Sequence, residues 1–278
     1  MKIVNICISI LFATLLFWQV QMYLPYQLCQ LEHTNLFLGD WDVFLASLQQ
    51  MGGAVKWLGT WGIQFFDKPF WGVIMFLLPV WGLFATTACV LRRKTRSNGL
   101  WIPLAACLAV AQLFSLYDFN FYWSGALALC LAMGVLWIWS FLKPSLVRNA
   151  LFIVAIPFIT WLLGAIALVY VLTGIGLFFH KKYVWQTSIL PLVVYMATII
   201  GFYVMGTCPS LMVAVSPKMY FEPLLDISIY HLVAWVITIC IWGCCRFLPT
   251  VEKKMWAWGM CAVCWVIPVG VLLQYGST

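Results

Sequence analysis

Charge is what this sequence has least of. Asp, Glu, Lys and Arg together make up 8% of it, against 65% hydrophobic residues. A soluble domain carries roughly 25% charged residues, and so few could not cover a surface facing water. Lipid supplies the missing apolar solvent, which puts the chain among membrane proteins. The alternation of an outer-membrane barrel, about ten-residue segments with polar residues at every second position, is missing too. The apolar runs are solid instead, and residues 70–91 are about one helical crossing long. Metal ligands are scarce: there are 3 histidines, and the 11 cysteines form no metal pattern in a polar loop. Cys261 and Cys264 make a C-x-x-C inside an apolar helix, where a thiolate is neither stabilised nor accessible. Ser/His/Asp and glycine-rich phosphate patterns are absent. Gln19, Gln21 and Gln112 are the main polar groups within crossings, which argues against an ion pump or proton relay.

The net charge of +7 does not point to nucleic acid. Basic residues gather in short loops between apolar runs, as Arg92, Arg93, Lys94 and Arg96 do, and this is the pattern of cytoplasmic loops. The fold class expected is all-α: a polytopic transmembrane helical bundle of 8–9 membrane-crossing segments, one integral membrane domain over residues 1–278. Lys2 is followed by an apolar run to Leu24, but Trp18, Gln19, Gln21 and Met22 stand where a signal peptide needs small residues. The run therefore reads as a retained first helix, residues 3–24. A long outer loop, 25–69, follows. Further crossings are expected at about 70–91, 100–117, 121–142, 183–205, 228–247 and 255–273, with a second outer loop at 206–227.

The apolar stretch 150–179 decides the topology. As one helix it would be about 45 Å long at 1.5 Å per residue, against a hydrocarbon core of about 30 Å. It contains Pro157, Gly164, Gly174 and Gly176, so either it tilts strongly or it hinges near Gly164 into a hairpin. With a hairpin, only Lys56, Lys68 and Lys218 of the 15 basic residues fall outside, and only Glu252 of the 8 acidic residues falls inside. With a single crossing, Lys181, Lys182, Arg246, Lys253 and Lys254 all move outside, against the positive-inside rule. The hairpin is the favoured reading, with a cytoplasmic N-terminus and a periplasmic C-terminus.

In the first outer loop, Phe44, Leu45, Leu48, Val55, Leu58 and Ile63 recur at loosely helical spacing, with Trp41, Trp57 and Trp61 among them. Amphipathic helices lying on the outer surface fit this pattern, broken at Gly52-Gly53, with Asp40 or Asp42 as the cap of the first. The run Gly52-Gly53, Leu58-Gly59, Gln64-Phe65-Phe66, Pro69 and Gly72 resembles the "GG…LG…QFF…P…G" signature of an uncharacterised family of polytopic membrane proteins common in Bacteroidota. Glu32 with Leu36-Phe37 is similar to the opening of that signature. The resemblance implies an inner-membrane location and no known activity. It also implies a soluble C-terminal helical region, which is not seen before Thr278, so a short form is expected. A topological likeness to glycosyltransferases that use polyprenyl-phosphate sugars rests on the long first outer loop and its acidic residues.

The candidate functional residues lie on the outer face. If the chain is an enzyme, Asp40 or Asp42 is the expected catalytic base, with Glu222 or Asp226 opposite. Glu32, Lys218 and His231 would contact substrate, Lys218 near a phosphate. A divalent cation held by a second carboxylate is the cofactor a glycosyltransferase reading admits; otherwise no metal site is legible. Cys29 and Cys208 are the cysteines nearest the oxidising side, where a disulfide is permitted. Three functions remain: a scaffold or subunit of an envelope complex, which the sequence favours, a lipid-linked glycosyltransferase, and a transporter. The partners expected are the lipid bilayer and either a membrane protein or a lipid-linked substrate.

Overall fold

In the computed structural model, residues 2–23, 25–34, 37–94, 101–118, 120–143, 146–178, 184–220 and 229–244 are described. Among them every regular element is helical. In chain order these are α1 (Lys2–Tyr23), α2 (Pro25–Thr34), α3 (Trp41–Leu48), α4 (Gly53–Ile63), α5 (Pro69–Lys94), α6 (Trp101–Leu116), α7 (Trp123–Trp139), α8 (Leu146–Leu163), α9 (Ala167–Phe178), α10 (Val184–Val204), α11 (Leu211–Val215) and α12 (Ile229–Cys244). Each apolar run expected to be a crossing forms a helix with ends within a few residues of those read from sequence; the run 255–273 lies outside the described residues. Two helical segments, Phe70–Arg93 and Val147–Phe178, are long and apolar enough to cross a membrane.

The second of these segments is bent back on itself. Its arms, α8 and α9, are joined by a 3-10 turn, Gly164–Ile166, and Gly164 has φ +76°, a left-handed value that favours glycine. The antiparallel pairing is direct. The guanidinium of Arg148 donates to the carbonyl of Phe178 at 3.2 Å. Phe152 stacks on Tyr170 with ring centroids 5.1 Å apart and reaches across to Gly174, where a Cβ would meet its ring. Glycine at 174 is thus what lets the arms close.

Neighbouring contacts fix the direction of the other helices. Trp123 at the start of α7 donates from Nε1 to the carbonyl of Phe76 in α5 at 3.3 Å. At their far ends the Arg93 guanidinium lies 3.8 Å from the centroid of Phe141, so α5 and α7 run parallel. Phe12 and Phe17 of α1 pair with Phe84 and Phe70, so α1 runs opposite to α5. Trp242 of α12 donates to Thr87 of α5 at 3.1 Å. One end of the bundle therefore holds Arg92, Arg93, Lys143 and Arg148. The other holds α3, α4 and the turns after α6 and α10.

Several threonine hydroxyls within the helices are satisfied locally. Thr160, Thr198 and Thr238 each donate to the carbonyl four residues earlier, at 2.8, 2.7 and 2.7 Å. This back-bonding satisfies those three hydroxyls without water. The core consists of large rings set against small residues: Phe76, Phe152, Tyr170, Tyr195 and Trp242 are fully buried beside Ala105, Ala109, Ala126, Ala132 and Ala165. The outside of α1, α8 and α10 is equally apolar, with Ile6, Ile10, Leu15, Val154, Phe158, Val193 and Ile200 exposed.

Candidate functional site

Two glycine turns from distant parts of the chain meet at the end opposite Arg93. The turn between α3 and α4 carries Gly52 at φ +71°. Its amide donates to the carbonyl of Trp161 at 2.8 Å, and the Met51 amide to that of Thr207 at 3.3 Å. Trp161 Nε1 donates to the carbonyl of Leu48 at 2.8 Å. A Cβ on Gly52 would stand 3.2 Å from the Cα of Gly164, so the two turns are in backbone contact. Tyr220 closes the junction. Its hydroxyl donates to the carbonyl of Leu163 and accepts from the Ile166 amide at 3.3 Å, and complete burial holds its pKa above the ordinary tyrosine value. The Tyr220 carbonyl in turn accepts from the Tyr122 amide at 2.8 Å.

Beside this junction, α4 lies against the start of α7. The sequence leads to surface helices in this loop; α3 has no buried residue, but α4 is packed into the bundle. It buries Gly53, Val55, Gly59, Gly62 and Ile63, because glycine lets its backbone sit directly on Trp123 and Ser124. A Cβ on Gly59 would be 3.0 Å from the Cα of Ser124, and one on Gly62 2.5 Å from the Trp123 ring.

The α4–α7 seam does not close completely. It leaves a cavity of about 140 Å³ lined by Lys56, Gly59, Thr60, Ile63, Tyr122 and Ser124. Lys56 is half-buried. Removal from water pulls its pKa below the usual lysine value, and the nearby Cys208 acts in the opposite direction. Among the described residues the ion pair found is His33 with Glu32, at 3.5 Å, and no carboxylate pairs with Lys56. Ser124 is 4% exposed, and its hydroxyl makes no hydrogen bond among them. The Thr60 hydroxyl donates to the Trp57 carbonyl at 2.9 Å, which leaves its oxygen free to accept.

The residues singled out from sequence are distributed as follows. Asp40 occupies the N-cap position of α3 with extended backbone, but its side chain makes no capping hydrogen bond. Its carbonyl accepts from Phe44 instead, at 3.1 Å. Asp42 is in the first turn, and both aspartates are exposed. Glu32 is half-buried beside His33. Lys218 is in the turn Pro217–Tyr220, its amide 3.4 Å from Ser216 Oγ. Glu222 and Asp226 lie outside the described residues, as does the side chain of His231 in α12. The loops 25–69 and 206–227 do meet, through Met51 with Thr207 and Gly52 with Met219. Among the described residues no three His, Cys, Asp or Glu side chains are grouped to hold a metal. Cys29 and Cys208 are both free, so the disulfide admitted by the sequence does not form. Cys208 is instead buried, its thiol 3.3 Å from the carbonyl of Ser210.

Lys56 and Ser124 were missed in sequence, although a signal was present. Residues 56, 59, 60 and 63 follow the i, i+3, i+4, i+7 spacing of one helix face, so a lysine shares its face with the glycine on which α4 docks.

One family profile covers residues 1–275. The chain belongs to DUF6057, a family of unknown function. No curated protein and no solved structure matches it. Membership in DUF6057 agrees with the uncharacterised family expected from the sequence and attaches no reaction to the cavity.

Proposed function

We propose that this DUF6057 chain is a multi-pass protein of a bacterial inner membrane and works there as a non-catalytic scaffold or subunit of an envelope complex. The observation that carries the reading is the outside of the bundle. Apolar side chains are exposed along α1, α8, α10 and α12, while among the described residues charge is confined to the two ends. A soluble protein rarely exposes contiguous apolar surface beyond a few hundred Å², whereas lipid requires it. The end with Arg92, Arg93, Lys143 and Arg148 is cytoplasmic in this reading, and the end with Asp40, Asp42, Asp118 and Lys218 periplasmic.

The scaffold role is supported by α10. Ala197 is exposed, and nothing lies within 4 Å of a Cβ on Gly201. These residues, four apart on one face, form the small-xxx-small pattern on which membrane helices pack closely. The described carboxylates also belong to separate elements: Glu32 in α2, Asp40 and Asp42 at α3, Asp67 before α5, Asp118 after α6.

Two measurements test the reading. In a cysteine-free background, single cysteines at Lys143 and Lys182 should react with an impermeant maleimide from the same side of the membrane; labelling from opposite sides would overturn the hairpin topology. In mild detergent, the native assembly should exceed the size of one chain, and Gly201→Leu should dissolve it. A monomeric wild type, unchanged by G201L, would remove the scaffold role while leaving the topology intact.

The second reading is a lipid-linked glycosyltransferase, favoured by the meeting of the two outer loops at Gly52 and Met219. It requires Asp40 or Asp42 to act as base with Glu222 or Asp226 opposite. Under it, D40N or D42N abolishes sugar transfer from a polyprenyl-phosphate donor without lowering thermal stability.

A further inference from the structure

We propose that the cavity between α4 and the start of α7 is a binding site for a phosphate group, held by the Lys56 ammonium and the Ser124 hydroxyl. The inference depends on neither the scaffold nor the glycosyltransferase reading, and it involves none of the outer carboxylates.

Four observations meet at this place. The first is size. Water takes roughly 30 Å³ in the liquid, so about 140 Å³ holds one phosphate with a few waters. The second is charge. Lys56 is the one charged residue of α4, lines the cavity beside Gly59 and is paired with no carboxylate among the described residues. The third is an unused donor. Ser124 is 96% removed from solvent, lines the cavity and has no hydrogen-bond partner among the described residues, so its hydroxyl is available to a ligand or water there. The fourth is direction. Ser124 belongs to the first turn of the 17-residue α7, where the helix dipole favours negative charge.

The donor set selects phosphate over carboxylate. A planar carboxylate is matched by the fork of an arginine, and none lines this cavity. A lysine is a point charge with three donors, suited to a tetrahedral oxyanion, and the hydroxyl of Ser124 is on the α7 side of the cavity. The Thr60 hydroxyl, already donating to Trp57, accepts from the P–OH of a monoester or from a water of the anion.

The same group can arrive free or on a lipid headgroup, and the experiment separates the two. Full-length protein is purified in detergent and its thermal unfolding measured with added inorganic phosphate. It is then reconstituted in nanodiscs of phosphatidylcholine alone or with phosphatidylglycerol. Binding to the folded state raises the unfolding temperature with ligand concentration. Wild type is expected to be stabilised by at least one of the two, with Lys56→Met binding at least tenfold more weakly and Ser124→Ala weakened in the same direction. Stabilisation by phosphatidylglycerol alone assigns the site to a lipid headgroup, and by inorganic phosphate alone to a soluble ligand. K56M without ligand should unfold no lower than wild type, since a buried lysine without a partner is itself unfavourable. A wild type indifferent to both probes, an equal response from K56M, or a K56M protein less stable without any anion would each overturn the site, the last by making Lys56 an internal structural cation.

Discussion

Gly52 and Gly164 touch backbone to backbone across the junction of the α3–α4 turn and the α8–α9 hairpin: a Cβ on Gly52 would lie 3.2 Å from the Cα of Gly164 and 2.5 Å from the Met219 methyl. Both have left-handed φ, +71° and +76°. An L side chain in that region costs about 1–2 kcal/mol. Gly52→Ala and Gly164→Ala are each expected to lower stability by about 1–3 kcal/mol in denaturant titration of the detergent-solubilised protein. Met219→Ala added to either should restore part of the loss, because the methionine end is movable but the backbone strain is not. Complete rescue would show that φ is irrelevant here.

A second pair of glycines separates packing from helix propensity. In α4, Gly59 stands on the backbone of Ser124, which cannot swing aside, so Gly59→Ala should destabilise by about 1–3 kcal/mol. In α7, Gly134 has nothing within 4 Å of its Cβ position. Gly134→Ala is expected to be neutral or stabilising by about 0.5–1 kcal/mol. If both alanines behave alike, α4 does not dock through Gly59.

The helices and the hinge were legible because two simple signals carried them. Apolar runs of crossing length mark α5, α6, α7, α10 and α12, and the sorting of Lys and Arg favours the bend that the Arg148–Phe178 hydrogen bond closes. The GG, LG and Pro69 positions were recognisable as a motif, but their reason was not. Gly52 meets Gly164 and Gly59 meets Ser124 through contacts between distant segments, and hydrophobic periodicity in one segment says nothing about its partner. The same limit hid the Lys56 cavity. Weighing each charged residue by the side of the membrane it falls on makes Lys56 one of three outer lysines, whereas the fold turns it inward. The expected cap by Asp40 was right in position and wrong in chemistry, since its backbone carbonyl, not its carboxylate, meets the helix.

Tyr220 gives a pH-dependent prediction. Its hydroxyl serves both Leu163 and Ile166, so Tyr220→Phe leaves a buried carbonyl and a buried amide unpaired and should cost about 1–3 kcal/mol at neutral pH. Burial raises the folded-state pKa above the unfolded value of 10.0. The stability that depends on the neutral phenol is therefore fully present below pH 10 and is lost as the pH rises through the folded value. The gap between wild type and Y220F, followed by unfolding temperature, should stay constant from pH 7 to about 10 and narrow above it. A gap that is unchanged at high pH would mean that Tyr220 does not ionise on unfolding.

The last prediction uses two caps to isolate what Asp40 does. Ser210 caps α11 through its side chain, its Oγ accepting from the Val213 amide at 3.2 Å. Asp40 holds the equivalent position at α3 with no such bond. Ser210→Ala should therefore lose about 1 kcal/mol, while Asp40→Ala, an exposed change with no partner to lose, should stay within about 0.5 kcal/mol. The contrast matters for function. Because Asp40 contributes so little to the fold, any strong effect of D40A in cells, measured as failure to complement deletion of the gene at normal protein abundance, must act through chemistry or recognition at the surface around α3. A D40A protein that complements fully would leave Asp40 as a solvated loop charge and would take from the glycosyltransferase reading one of the two carboxylates offered for its catalytic base.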